Sequence, residues 1–423
     1  MKKTLVALAA IAATSAFAQS TVTISGFANG SYDLFSVAQG KAASARTSNT
    51  SENRVTDNSS RIIFNSNEDL GGGMRAFWQV DVRPLMDQTA RATAVTSTPA
   101  VNASGVVTTT TAIAASVVAP GLNPLSGGNS HIGLSGSLGS IRMGRQDIHY
   151  TEGGNFTPAS TPTIQSHAGL LVTAAASNGA VGRTSRTANL IWYTSPTMNG
   201  FAGTLGYSTN GASSSGWGDP ENDMASGQRK GSTQYARLGY TQGPVTAVVS
   251  YINEKSDHIG TPADATSGAP VLSTMGPVPD RSGSIVSVKY DLGMVKLGAA
   301  IANNNSTVIA PATVVASKRT NTQFGVGVPM GASNFALTYT KVGNENKNAA
   351  EVANTGASSV ALAYSYDLSK RTQVFAGMQS ITNKSAGAHG LFYNADNAVG
   401  SAGSAPAAGE KHSVTSFGVR HSF

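Results

Sequence analysis

The amino-acid sequence predicts an all-β fold, a closed antiparallel barrel of 16 strands. Three observations favour this fold class. Apolar and polar residues alternate along many short segments. These segments are joined alternately by a tight turn and by a long polar connection. No stretch shows a helical period of useful length. Because successive side chains of a strand point to opposite faces, this alternation gives the sheet one apolar face and one polar face.

The N-terminus is predicted to be a secretory signal peptide. Two lysines precede an apolar stretch over residues 5–13, and an Ala-Phe-Ala cleavage sequence ends at Ala18. The apolar stretch is too short to span a bilayer. We therefore expect residues 1–18 to be removed and residues 19–423 to form the barrel domain. A buried first helix is the alternative.

Composition favours one large β body over several domains. The 423 residues include 47 glycines, only 12% of them are charged, and no linker or shift in composition divides the chain. The chain has no cysteine, so disulfides cannot hold an exported protein of this length together. A closed network of hydrogen bonds between strands can do so.

The first clear hairpin lies within residues 60–82. Its two alternating segments flank a tight turn at residues 68–73. In the second segment Trp78 and Val80 share one face, whereas Gln79 lies on the other. A water-soluble β-sandwich would contain such hairpins too, so the decision depends on the rest of the chain.

The connections between strands alternate in length. The seven tight turns are residues 68–73, 138–140, 195–200, 242–244, 291–293, 329–332 and 367–371. The eight long connections are residues 38–58, 85–128, 147–185, 210–232, 256–281, 303–319, 343–356 and 382–410. They join 16 strands, expected to start near residues 22, 61, 75, 131, 141, 186, 201, 234, 245, 284, 295, 323, 335, 358, 373 and 413. Strands of about ten residues can cross a bilayer, and this alternation puts all tight turns at one end, as in outer-membrane barrels.

The last strand adds a separate signal. Phe417, Val419 and Phe423 fall on one parity, Gly418 and Arg420 fall on the other, and the sequence ends on an aromatic residue. This pattern resembles the C-terminal recognition strand of bacterial outer-membrane proteins. Together with the signal peptide and the turn pattern, it predicts a transmembrane barrel rather than a soluble one.

Several short motifs identify a family resemblance. They are Ser-Arg at residues 60–61, Asn-Glu-Asp-Leu-Gly-Gly-Gly-Met at 67–74, Ile-Gly-Leu-Ser-Gly at 132–136, Met-Gly-Arg-Gln at 143–146, Trp-Tyr-Thr-Ser-Pro at 192–196 and Gly-Val-Arg-His-Ser-Phe at 418–423. The chain resembles the general porins of β-proteobacteria over essentially its whole mature length. The resemblance implies a 16-stranded antiparallel transmembrane β-barrel with an inward-folded third extracellular loop, here residues 147–185. It also implies a homotrimer in the outer membrane of a Gram-negative bacterium, in contact with lipids.

The same resemblance implies a constriction between that loop and a basic wall. Arg61 and Arg186 match two wall arginines of the family. A third, usual just before the 132–136 motif, is replaced by Gly-Asn-Ser at 128–130, and the family's proline-acid-aromatic-glycine segment is absent from the loop. The function implied is passive diffusion of small hydrophilic solutes, often with a preference for anions, without a cofactor or metal.

The charge pattern supports an anion preference independently. The polar parity of the strands places more basic than acidic residues inside; the basic ones are Arg61, Arg75, Arg83, Arg142, Arg186, Arg237, Lys289, Lys296 and Arg420. Asp33, Asp81 and Glu254 are the inward acids, and such an excess of fixed positive charge attracts small anions. We take Arg142 as a third wall candidate. The loop acids Asp147 and Glu152 either oppose this wall or anchor the loop by ion pairs.

Two other function classes are alternatives for an exported β-barrel. A barrel enzyme would need a catalytic arrangement, but the sequence has no Gly-x-Ser-x-Gly elbow, no His-x-x-x-His spacing and no cysteine. A non-conducting adhesin or structural barrel is the stronger alternative. Nucleic acid is not an expected partner, because the basic residues are dispersed over the strands instead of clustered on one surface.

Overall fold

The computed structural model describes residues 21–38, 49–84, 86, 100–101, 107–109, 127–149, 151–152, 166–174, 186–209, 231–255, 279–309, 314–391 and 407–423. The predicted signal peptide, residues 1–18, lies outside these ranges, so its removal stays a prediction. Within the described ranges, no helix has both the length and the apolar character needed to cross a membrane.

The described residues are almost entirely strands. In chain order they are β1 Thr21–Ala38, β2 Thr50–Asp57, β3 Arg61–Gly71, β4 Met74–Val82, β5 Ala100–Val101, β6 Val107–Thr109, β7 Ser130–Gly136, β8 Gly139–Gln146, β9 Thr187–Thr194, β10 Phe201–Ser208, β11 Ser232–Gln242, β12 Val245–Lys255, β13 Pro279–Asp291, β14 Lys296–Ile309, β15 Val314–Met330, β16 Ser333–Val342, β17 Glu345–Lys347, β18 Ala350–Val352, β19 Ala357–Asp367, β20 Thr372–Asn383 and β21 Lys411–Ser422. One short helix, α1 Ser166–Leu171, belongs to the third long connection.

The sheet closes on itself, which confirms the predicted fold class. Each strand pairs antiparallel with its neighbours, and β1 pairs with β2 and β3 along one edge and with β21 along the other. β2 and β3 form one barrel strand interrupted at residues 58–60, and β5, β6, β17 and β18 are additions outside the barrel wall, which leaves 16 strands. Closure removes the free edges that an open sheet would expose.

The two faces differ as the sequence pattern predicts. Val249, Val286 and Ile301 stand side by side on β12, β13 and β14 on the outer face, with 50%, 50% and 42% of their surfaces exposed. One position away, Ile285 and Ala302 face inward and are fully buried. The outer face therefore offers an apolar band to lipid, as in transmembrane barrels.

Several strands are longer than the sequence predicts. Residues 303–319 read as a polar connection, but β14 continues to Ile309 and β15 begins at Val314. Polar residues occupy both faces here, so no apolar alternation marks a strand. The ladder is held instead by polar pairs such as the Thr320 hydroxyl, which donates to Asn303 Oδ1 at 2.7 Å.

Apolar packing inside the barrel involves the third long connection. Three clusters of buried apolar side chains lie inside, and each contains residues of that connection. Leu170 belongs to the first, Ile148 and Ala174 to the second, and Leu171 and Val172 to the third. The described residues of this connection therefore pack against the inner wall.

Candidate functional site

Arg61 opens β3 and lies on the inner wall. Its strand neighbour is Phe27 of β1, and its guanidinium carbon lies 4.6 Å from the centre of the Phe27 ring. Nε donates to the Ser59 carbonyl oxygen at 3.4 Å. No ion pair to Arg61 occurs in the described part of the chain, although Asp81 and Asp147 are near enough to interact electrostatically. Its positive charge can therefore attract anions in the lumen.

Arg186, immediately before β9, lies close to Arg61. Its Nε is 3.5 Å from Asp147 Oδ2, and its Nη1 donates to the Gly127 carbonyl oxygen at 3.1 Å. The backbone N–H of Asp147 donates to Asn129 Oδ1 at 2.9 Å. Asp147 thus anchors the beginning of the third connection to the basic wall. This is the anchoring role that the sequence offers as one of two interpretations for the loop acids.

Two further arginines join this group. Arg83 follows β4 and forms a fork with Asp81, in which Nε donates to Oδ1 and Nη2 to Oδ2, both at 2.7 Å. Arg145 on β8 lies within electrostatic range of Arg83 and Asp147. We call Arg61, Arg83, Arg145 and Arg186 the basic patch. The carboxylates of Asp81 and Asp147 lie among these guanidinium groups.

Sequence reasoning could not find Arg145, because simple alternation from the exposed Ile141 and Met143 places it on the outer face. A register shift between Gly144 and Gln146 breaks that alternation, as a β-bulge does. The outer-face assignment therefore fails at this residue. Arg83 was correctly assigned to the interior but not to the constriction.

The other two sequence candidates lie elsewhere on the inner wall. Arg142 is at the level of Phe77 and Trp192, with its guanidinium carbon 5.1 Å and 6.0 Å from the two ring centres. Glu152 accepts from Arg237 Nε at 2.8 Å and from the Tyr235 hydroxyl at 3.2 Å. The structure does not bring either residue into the basic patch. Glu152 anchors the connection to β11.

The middle of the third connection, residues 171–173, binds the wall at β14 and β15. Asn304 Nδ2 donates to the Leu171 carbonyl oxygen at 2.9 Å, and Asn321 Nδ2 donates to the carbonyl oxygens of Leu171 and Thr173 at 2.9 and 2.8 Å. Asn304 and Asn321 belong to β14 and β15, whereas the connection starts and ends at β8 and β9. The inward polar residues of the two unexpectedly long strands thus hold this segment.

Arg319 of β15 ties this segment to one more connection, residues 343–356. Its side chain is 1% exposed; Nε donates to the Ala174 carbonyl oxygen at 3.3 Å, and Nη1 donates to those of Gly343 and Thr355 at 2.8 and 2.9 Å. Nη2 lies 3.5 Å from Glu345 Oε2. Two connections far apart in sequence therefore depend on one guanidinium group.

Two buried histidines lie in the connections. His389 Nε2 is 3.1 Å from the Thr355 carbonyl oxygen; burial, and secondarily the charge of Arg319, lowers its pKa to about 4. His149 Nδ1 is 2.9 Å from the Ser250 hydroxyl, and burial lowers its pKa to about 3. Both are neutral at neutral pH. Among the residues described, no group of three or more His, Asp or Glu side chains could hold a metal ion.

A closed barrel with an apolar outer band, a polar interior and charged groups on its inner wall defines a channel of the bacterial outer membrane. Residues 4–386 match the Gram-negative porin family, and the chain belongs to it. Outer membrane porin protein 32 of Delftia acidovorans is 25% identical over 426 residues, which cover 100% of both chains.

Solved structures show the same fold. The anion-selective porin from Comamonas acidovorans superposes with a TM-score of 0.62 at 19% identity, over 96% of this chain and 100% of that one. The trimer form of OmpT from Vibrio cholerae gives 0.56 at 12% identity, over 96% and 99%. The chain is thus an outer-membrane pore for passive diffusion of small hydrophilic solutes in a Gram-negative bacterium, and not an enzyme.

Proposed function

We propose that this pore prefers anions, and that the third connection, with its described residues 147–149, 151–152 and 166–174, narrows the lumen beside the basic patch. The observation that carries the proposal is Arg61, which lies on the inner wall and forms no ion pair with any residue that the structure describes. The Comamonas relative, described as anion-selective, supports it. The contacts of residues 166–174 with β14 and β15 support the path of the connection.

Some arginines of the basic patch have a carboxylate beside them in the described part of the chain, and Arg61 does not. Asp81 compensates Arg83 through two short hydrogen bonds, and Asp147 lies beside Arg186. Arg61 forms no ion pair with a described residue and is only partly buried. In a narrow passage with low-dielectric walls, an uncompensated positive charge raises the local anion concentration and lowers that of cations. Arg61 is therefore the principal contact for a passing anion.

Neutralising two arginines of the patch tests this selectivity. In the variant Arg61→Gln with Arg186→Gln, the anion-to-cation permeability ratio should fall several-fold while conductance persists, because the wall loses two positive charges and the barrel stays closed. The measurement is the reversal potential across a planar bilayer in a potassium chloride gradient. The wild-type preference should also weaken near 1 M salt, where charges are screened beyond about 3 Å.

The matched control is Arg371→Gln, which removes one arginine charge from an exposed turn between β19 and β20. It should leave the permeability ratio unchanged. A double variant with the wild-type ratio would contradict the role of Arg61 and Arg186 in selectivity.

We further propose that the protein assembles as a homotrimer, as the trimer form of OmpT does. The outer faces of β1 and β21 carry small and aliphatic side chains that suit a neighbouring barrel, including Val22, Ile24 and Val419, which are 61%, 61% and 51% exposed. Native electrophoresis of protein extracted in mild detergent should give a band at three times the monomer mass. Chemical cross-linking that yields monomers alone would contradict this assembly.

A further inference from the structure

Two arginines from different strands meet over one aromatic ring on the inner wall. Phe27 of β1 lies between its neighbours β3 and β21. The guanidinium carbon of Arg61, on β3, is 4.6 Å from the Phe27 ring centre, and that of Arg420, on β21, is 3.9 Å from it. The separation of the two cationic groups therefore cannot exceed the sum of these two distances.

All three residues face the lumen. On β21, Phe417 and Val419 are exposed on the outer face, 52% and 51%, so Arg420 belongs to the inner parity. On β1, Tyr32 and Leu34 are outward, which places Phe27 inward as well. A solute in the lumen can therefore reach both guanidinium groups and the ring.

Neither guanidinium group forms an ion pair with a carboxylate in the part of the chain that the structure describes. Other interior arginines have acidic partners, for example Arg83 with Asp81 and Arg237 with Glu152. Within the described ranges, Arg61 donates only to the Ser59 carbonyl, and Arg420 forms neither an ion pair nor a side-chain hydrogen bond. The ring faces hold both cations by cation–π attraction, which leaves the outward N–H groups of each available.

We infer that Arg61, Phe27 and Arg420 form a binding station for a small doubly charged oxyanion, in which the two guanidinium groups share the two charges. Guanidinium groups bind oxyanions through paired, charge-assisted hydrogen bonds. A monovalent anion can occupy one of them and leaves the other uncompensated, whereas a dianion compensates both. The station rests on the proposed anion preference and adds discrimination by charge to it. It also assigns a role to Arg420, which lies outside the basic patch.

Block of chloride current by added anions tests the station. Single-channel conductance of the wild type in chloride is measured while sulfate, succinate or acetate is added. Sulfate and succinate should reduce the chloride current at far lower concentration than acetate. Sulfate and succinate distinguish a compact dianion from an extended one; block by either of them supports the station, and block by neither overturns it.

Variants then distinguish dianion binding at this station from a general preference of the pore for anions. In Arg420→Gln the half-blocking concentration of the effective dianion should rise roughly tenfold, the factor for loss of one charge-assisted contact, while that of acetate changes little. Phe27→Leu keeps both charges but removes the ring that orients them, so it should also weaken dianion block. Lys411→Gln removes the same charge from an exposed position of β21 and is the matched control.

Two outcomes would overturn the inference. One is wild-type dianion block in Arg420→Gln, confirmed as folded by its heat-modifiable band on electrophoresis. The other is a wild-type channel that prefers chloride to potassium but whose chloride current is blocked by acetate at the same concentration as by the dianions. A wild type without any anion preference would instead refute the proposed function itself, so the two failures are distinguishable.

Discussion

Arg319→Met is expected to lower the free energy of unfolding by about 3 to 5 kcal/mol, the cost of removing one partner from a buried ion pair. The change leaves Glu345 without its cation and takes hydrogen-bond donors away from the carbonyl oxygens of Ala174, Gly343 and Thr355. Urea unfolding in detergent micelles, followed by tryptophan fluorescence, measures the loss.

A companion variant isolates the charge. Arg319→Met with Glu345→Gln removes the unpaired carboxylate as well, so part of the lost stability should return. The single variant should also expose residues 343–356 to limited proteolysis, because two of the lost bonds hold that connection. A single variant as stable as the wild type, with unchanged cleavage, would show that Arg319 does not tie the connections together.

Acidification is expected to destabilise the protein through His149 and His389. Their pKa values are lowered to about 3 and about 4 in the folded state, whereas an unfolded histidine titrates near 6.5. Between these values the unfolded chain binds protons that the folded one does not, so stability is fully present above about pH 6.5 and falls as the pH drops. At about pH 4.5 the loss is roughly 2.5 kcal/mol for each histidine.

Urea midpoints at pH 7 and about pH 4.5 measure this dependence. His149→Gln and His389→Gln should each flatten the pH profile, because glutamine fills similar space and does not titrate. His421→Gln is the matched control, since His421 is exposed at the end of β21. Profiles of equal slope in all four proteins would show that neither buried histidine carries the acid sensitivity.

The fold was predictable because its signals are local. Alternation and turn residues predict the starts of many strands to within a few residues of the observed starts. At Phe201 and Val245, for example, β10 and β12 begin at the expected residues. The signal fails where both faces of a strand are polar, as in the paired residues Asn303 and Thr320. Inward polar groups there bind another connection, and such contacts leave no trace in the local pattern.

The candidate site was predictable only in part, for a similar reason. The family resemblance points to Arg61 and Arg186, the charge of the loop points to Asp147, and the three residues lie within electrostatic range of one another. Arg145 required knowledge of the bulge in β8, and Glu152 pairs with Arg237, a residue distant in sequence. Partner choice among inward charges depends on which strands face each other across the lumen. The alternation of apolar and polar residues along the sequence does not contain that information.

The pairing of β1 with β21 also sets an order of events in folding. These strands join the two ends of the sheet, so we expect their pairing, which has the largest sequence separation of any in the sheet, to form late. The entropy of closing so long a loop grows only slowly with length, but the contact still waits for the sheet between them to form. Until then both edge strands remain open to pairing with a second copy, so the time before closure is when aggregation competes with folding.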